Sequence, residues 1–253
     1  GGLVRQTPHS VASSVFIDVN SRFELGSILE AAGANDSVVF RARSSLLGTF
    51  DVTLGGRIAA TAGTHTVGVT GKVIGDGASG GYLHYLTSAV ANWVNGATAT
   101  FSLGGTPSSP TPSIVVESGA IVNINTGVTH TAVGTTLKIG TGGQLNFATS
   151  TASPNPNTVL ASLLVEGGQM TLGDELLVVK DYFHLSSLLT YSAGVKNMQI
   201  DGYALLDDSA NIQFSSATSA FNVQGAADFL AGTVSSNGAG ATVRVLNGGE
   251  LTW

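Results

Sequence analysis

An eleven-residue phrase recurs along this chain: apolar residues at alternate positions, a Gly-centred interruption, then apolar residues at alternate positions again. It runs through Phe50, Val52, Gly55, Gly56, Ile58 and Ala60, then Ile114, Val116, Gly119, Ala120, Val122 and Ile124, then Leu137, Ile139, Gly142, Gly143, Leu145 and Phe147. A looser copy uses Leu164, Gly167, Gly168, Met170 and Leu172, and the last uses Val243, Val245, Gly248, Gly249, Leu251 and Trp253. Alternation is the period of a strand with one buried face, and glycine supplies the backbone angles of a sharp corner. Each copy therefore reads as two strands joined at a bend.

The bends are evenly spaced: Gly119 to Gly142 is 23 residues, Gly142 to Gly167 is 25, and Gly202 to Gly225 and Gly225 to Gly248 are 23 each. A fixed period of this length marks a solenoid, because one unit cannot bury its apolar face without a stacked neighbour. The expected fold is all-β, a parallel β-solenoid of about ten coils. A polar residue precedes each bend (Ser118, Thr141, Glu166, Asp201, Gln224, Asn247), and stacked coils are expected to align these as one column on one corner. A longer echo sets His65 between Thr64 and Thr66 and His130 between Thr129 and Thr131, about three coils apart; these read as equivalent surface positions.

Two stretches depart from the phrase. Ser21-Arg22-Phe23-Glu24 has the pattern of a capping box, and Phe23, Ile28 and Leu29 share a helical face before Gly33. This predicts a short helix over 22–32 inside an N-terminal cap segment, 1–47, covering the first coil. Tyr82, Leu83, Leu86, Val90, Trp93 and Val94 are spaced like a helix closed by Asn95-Gly96, and the Ser/Pro/Thr run 106–113 is a loop, so 78–113 reads as a helix-plus-loop insertion in a solenoid spanning 48–253. Residues 175–191 read as consecutive strands. The core is expected to hold Val52, Leu54, Ile58, Val116, Val122, Ile124, Leu137, Ile139, Leu145, Phe147, Met170, Leu172, Ile212, Phe214, Val243, Val245 and Leu251.

Only 10% of the 253 residues are charged while 43% are hydrophobic, the reverse of a disordered chain. The net charge of −6 comes with no basic stripe for a phosphate backbone to follow, so nucleic acid is not an expected partner. No apolar run reaches the length of about 18 residues that spans a bilayer. Gly1-Gly2-Leu3 lacks the charged start and apolar stretch of a signal peptide, so the chain is expected to be cytosolic or, the preferred reading, a mature or trimmed secreted product. The absence of cysteine removes disulfides, thiolate chemistry and Cys-ligated zinc.

The Gly-Gly-x-apolar-x-apolar phrases beginning at Gly142, Gly167 and Gly248 resemble the rungs of right-handed parallel β-helices in bacterial surface adhesins and autotransporter passengers, over roughly residues 48–77 and 114–253. The resemblance implies an extracellular or cell-surface protein whose work is attachment, aggregation or scaffolding rather than catalysis. The expected function is thus non-enzymatic and structural or adhesive. Expected partners are a second copy of the chain, since the phrases run to Trp253 and offer a head-to-tail surface, or an extracellular glycan.

The alternative is a polysaccharide-acting enzyme or glycan-binding module on the same scaffold. Lyase and hydrolase chemistry needs a positioned base, acid and cation. The densest ionisable set is Asp174, Glu175, Lys180, Asp181, Tyr182 and His184, followed by Asp201, Asp207 and Asp208, with Lys180, Asp181 and His184 the candidate catalytic residues. On a strand Lys180, Tyr182 and His184 share one side, and Asp181 then falls on the core side with Phe183 unless the register is irregular. The plainer reading is a solvated outer face. Tyr82, Tyr85 and Trp93, near His84, form a local aromatic concentration that could stack on a sugar or a partner. No calcium loop, HExxH spacing or phosphate-binding motif occurs, so no metal or cofactor is expected. Threonine pairs occur at Thr64/Thr66 and Thr129/Thr131, too few for an ice-binding ladder.

Overall fold

The computed structural model describes residues 3–6, 13–25, 27–32, 36–53, 57–68, 72–76, 82–87, 89–93, 98–102, 104–106, 109–111, 114–124, 129–130, 136–147, 158–173, 176–191, 197–214, 220–236, 242–245 and 251–252. Within them the chain winds as a parallel β-solenoid. Strands from successive coils pair in register to build a six-stranded, a fourteen-stranded and a ten-stranded sheet, here faces 1, 2 and 3. Every rung pairing on these faces is parallel; the one antiparallel pair joins Gly104–Thr106 to Ser109–Thr111, an added hairpin beside the coil.

Period-two alternation sets which side chains enter the core. On face 2 the inward column runs Val38, Ile58, Leu83, Ile114, Leu137, Leu163, Phe183 and Ala204, each opposite the next. On face 3 it runs Ala91, Val122, Leu145, Met170, Leu189 and Ile212. The expected core residues Ile58, Val116, Val122, Ile124, Leu137, Ile139, Leu145, Met170, Leu172, Ile212 and Phe214 are all buried, with Val243 and Val245 packed partly against them. Leu54 and the side chains of Val52, Phe147 and Leu251 lie outside the described residues.

Neither expected helix forms; among the described residues the chain is all strand and turn. Residues Ser21–Phe23 and Ile28–Ala32 are strands in line with the coils that follow. Ile28 is 40% exposed while its neighbour Leu29 is 0%, so the two do not share one buried face as the helix expectation required, and Ile28–Ala32 pairs in register with Thr49–Thr53. The Glu24 carboxylate pairs with Arg22 at 2.7 Å, and Phe23 O accepts from Leu47 N at 2.7 Å. Sheet pairing supplies the backbone partners that capping would have supplied, so the local signal loses. Tyr82–Tyr85 and Val90–Trp93 are likewise strands of one regular coil. Their helix-like spacing arises because the chain turns a corner between them, with Thr87 in the left-handed region at φ 55°.

The three-faced coil has about six turns, rather than the ten expected. In two coils the corner between faces 1 and 2 is lost: Thr158–Val165 and Leu176–Leu185 are single strands of 8 and 10 residues running straight through it, before the chain divides again into Asn197–Ile200 and Tyr203–Leu206. The polar-Gly bends do not form one column either. Gly119, Gly142 and Gly167 lie on the corner between faces 2 and 3, where Gly119 N donates to Gly142 O and Gly142 N to Gly167 O, both at 3.2 Å. Gly202, between Asn197–Ile200 and Tyr203–Leu206, stacks instead over the backbone of Lys180 and Asp181 and Gly225 stacks over Gly202, while Gly248 lies outside the described residues. The two histidines of the longer echo also separate. His65 is on face 3 and only 4% exposed; His130 is on face 1, its side chain outside the described residues. His65 is inside the coil, fully satisfied: Nε2–H donates to Ala62 O at 2.7 Å, leaving Nδ1 to accept from Ser44 Oγ at 2.8 Å.

Candidate functional site

The ionisable set singled out in the sequence lies on the outer side of face 2. Lys138, Leu164, His184 and Leu205 form one outward column across four consecutive rungs. Glu166 and Asp207 follow Leu164 and Leu205 by two residues, which returns their side chains to the same outer side at the corner. The result is a chain of contacts: Lys138 Nζ meets Glu166 Oε2 at 2.5 Å, His184 Nδ1 meets Glu166 Oε1 at 3.0 Å, and His184 Nε2 meets Asp207 Oδ1 at 2.9 Å. An imidazole with both ring N–H groups satisfies both carboxylates at once. Burial, the largest single influence on Glu166, pushes its carboxyl up. The Lys138 and His184 hydrogen bonds and charges outweigh it and hold the group below its ordinary value.

Lys180 and Asp181 sit at a bulge. Leu160 pairs with Val179 and Ser162 with Tyr182, so one residue on the first strand opposes two on the second. The extra residue breaks the alternation that would have placed Asp181 in the core beside Phe183. Lys180 Nζ binds Asp201 Oδ2 at 2.5 Å, and Gln199 Nε2 donates to the other oxygen of that carboxylate at 2.6 Å. Desolvation raises the Asp201 carboxyl, and the Lys180 and Gln199 hydrogen bonds with the Lys180 charge bring it below its usual value; Asp181 is raised by burial, with the Lys180 charge opposing. Tyr182 stacks on Tyr203 at 5.8 Å and 10°, and the Tyr203 hydroxyl donates to Asp228. That hydrogen bond, then burial and the Asp228 charge, pushes the Tyr203 phenol up to about 12.

Lys180, Tyr182 and His184 therefore share a side, as their spacing predicts, but each already has a partner in a neighbouring coil. Glu166 and Asp207 are the residues that sequence reasoning missed as partners. Their separations from His184, 18 and 23 residues, straddle one coil length, and the strands that omit a corner make the offset irregular. Asp174 and Glu175 lie outside the described residues. Among the described residues no group of three or more His, Asp or Glu is placed to hold a metal ion, and no helix is long and apolar enough to cross a membrane.

The aromatic concentration does not assemble as a surface patch. Tyr85 and Trp93 are 2% and 1% exposed, inside the coil, and hydrogen-bond to each other. The Tyr82 side chain lies outside the described residues. His84 faces outward, with Nε2 against Glu117 Oε1 at 2.8 Å, a smaller version of the His184 contact.

These shifts fix the direction of the acid response. His65 and His84 are lowered by burial, Glu117 opposing at His84, so the folded state binds fewer protons than the unfolded chain below pH about 6.5. Glu166 and Asp201, also lowered, contribute stability that is present above about pH 4.5 and lost as pH falls through their folded values. Asp181, raised, works the other way and is a single group against four. Thermal melts in buffers from about pH 7 to about pH 2.5 should show a fall in two stages, the histidine stage first and the carboxylate stage below about pH 4.5. A midpoint constant across that range would contradict these assignments.

The chain matches no protein-family model and no curated protein. Among solved structures it is similar to the TibC-catalysed hyper-glycosylated fragment of TibA spanning residues 55–350. Identity is 14%, the alignment covers 94% of this chain and 100% of that one, and the TM-score is 0.20. At that score the likeness adds nothing to the strand pairing, which establishes the β-solenoid by itself.

Proposed function

We propose that this protein is a non-enzymatic solenoid of an extracellular or cell-surface setting, with a structural or adhesive role. The observation that supports this reading most is where its ionisable groups go. Lys138, Glu166, His184 and Asp207 tie four rungs together, Lys180 and Asp201 tie two, and His84 and Glu117 tie two more. A general acid or base must have its proton free to move to a substrate. Here the candidate groups serve as inter-coil fasteners along an extended face. Contact with a second copy belongs to the same reading: Leu230 and Val234 are exposed beside a groove formed by Leu206, Phe229 and Val243, apolar surface that an associated copy would cover.

The test is a panel of neutral and acidic polysaccharides incubated with the protein, followed by assays for new reducing ends and for unsaturated products. No turnover is expected, and His184→Ala is expected to lower thermal stability by about 1–2 kcal/mol, since two charge-assisted contacts at a partly exposed site are lost. Turnover by the wild-type protein that Lys180→Ala, Asp181→Ala or His184→Ala abolishes would replace this reading with the polysaccharide-enzyme alternative.

A further inference from the structure

The charges of face 2 have no counterpart on the outer side of face 3. There, one outward column starts at Ser45 and continues through Asn92, Asn123 and Asn146 to Ser235; it holds Ser, Thr, Asn or Gln on each of nine successive strands. Beside it a second column runs Thr64, Val90, Ile121, Gln144, Gln169 and Leu188, polar and apolar in turn by ones and pairs, again without a charge. Arg22, opposite Ser45, is the single charge at the start of the first column.

The amides of the first column are aligned by one another. Asn123 Nδ2 donates to Asn92 Oδ1 at 3.0 Å, and Asn146 Nδ2 donates to Asn123 Oδ1 at 3.1 Å. A carboxamide has two N–H donors and two acceptor lone pairs, so the ladder uses one donor and one acceptor of Asn123 and leaves the others for a ligand. The pattern repeats at the strand spacing of about 4.8 Å.

We infer that face 3 is a docking surface for a neutral polysaccharide, which deepens the adhesive reading and rests on it. Hydroxyl groups both donate and accept, as the unused halves of the Asn, Gln, Ser and Thr side chains do. The half-buried Val90, Ile121 and Leu188 offer apolar contact to the C–H faces of sugar rings. The lack of charge gives a polyanion no attraction. A protein partner would meet little of the aromatic, Met and Arg surface that marks protein interfaces, because Trp93, Met170 and Tyr191 point into the core. Repetition along the solenoid suits a polymer more than a single small molecule.

The test is co-sedimentation of the protein with insoluble cellulose and chitin, and with calcium-alginate beads as the polyanionic comparison. The wild-type protein is expected to sediment with cellulose or chitin, to resist high salt, and to ignore alginate. Gln144 and Gln169 are both exposed and opposite each other, so Gln144→Glu/Gln169→Glu should weaken that binding by about tenfold or more, since carboxylates facing a neutral ligand are desolvated without a partner. Circular dichroism should not change, and the melting temperature should fall only slightly, the two glutamates being exposed though opposite each other. Arg244→Glu, exposed on face 2, should bind as the wild type does. Failure of the wild type to bind either neutral polymer would overturn the inference, as would stronger binding to alginate. An oligomer that the Gln144→Glu/Gln169→Glu variant dissociates would assign face 3 to a second copy instead. Neutral-glycan binding that survives both glutamates would reject face 3 yet leave the adhesive reading standing, whereas turnover of the polymer would reject that reading itself.

Discussion

Gly225→Ala is expected to destabilise the protein by about 3 kcal/mol or more, at the top of the range for overpacking a close-fitted site. A Cβ at Gly225 would overlap Gly202 O and lie 2.7 Å from its carbonyl carbon and 2.9 Å from Asp201 O. All three are backbone atoms of the coil beneath, so relief requires the coils to separate rather than a side chain to rotate. Gly202 has the same relation to the coil below it, its Cβ position lying 2.8 Å from Lys180 O. Gly142→Ala gives a contrast: its nearest contact, 3.3 Å to Gly119 N, is tight but needs a shift of only a few tenths of an ångström, and the main cost is its φ of +74°, unfavourable to a side chain by about 1–2 kcal/mol. Denaturant melts of the two variants separate steric from conformational need for glycine. Equal small losses would mean that the coil stacking near Gly225 is looser than described.

Trp93→Ala is expected to cost about 3–5 kcal/mol, because the largest fully buried side chain leaves a cavity that neighbouring strands cannot fill. The Tyr85 hydroxyl loses its indole partner in the same step. In a solenoid each coil depends on its neighbours, so the damage should concentrate in the adjacent rungs and hydrogen exchange there should accelerate most. Trp253 is the only other tryptophan, which makes indole fluorescence a nearly site-specific reporter of the same core in the wild type. A loss below about 1 kcal/mol would place Trp93 on an outer face and shift the register of Val90–Trp93 by one residue.

The placement of Trp93 also shows why its neighbourhood misled. Tyr82, Leu83, Leu86, Val90 and Trp93 satisfy a helical spacing, yet Leu83, Tyr85, Ala91 and Trp93 satisfy two strands, and only the coils on either side choose between them. The Ser21–Glu24 signal lost for the same reason. At the candidate site the outward side of Lys180, Tyr182 and His184 follows from alternation alone, whereas Glu166 and Asp207 as partners of His184 required the stacking offset.

Alternation and the Gly bends, both local properties, determine from the sequence alone that this chain builds parallel rungs around an apolar core, and the residues they name are buried in it or packed against it wherever the structure describes their side chains. Which corner each bend occupies, which strands run through a corner, and which charges meet across coils depend on how each rung settles on the one before. Strands of 8 and 10 residues replace two shorter ones where the Lys180–Asp181 bulge absorbs the mismatch. Register between stacked rungs is a long-range property, fixed by packing and backbone pairing between residues about 20–30 apart, and no single period in the sequence encodes it.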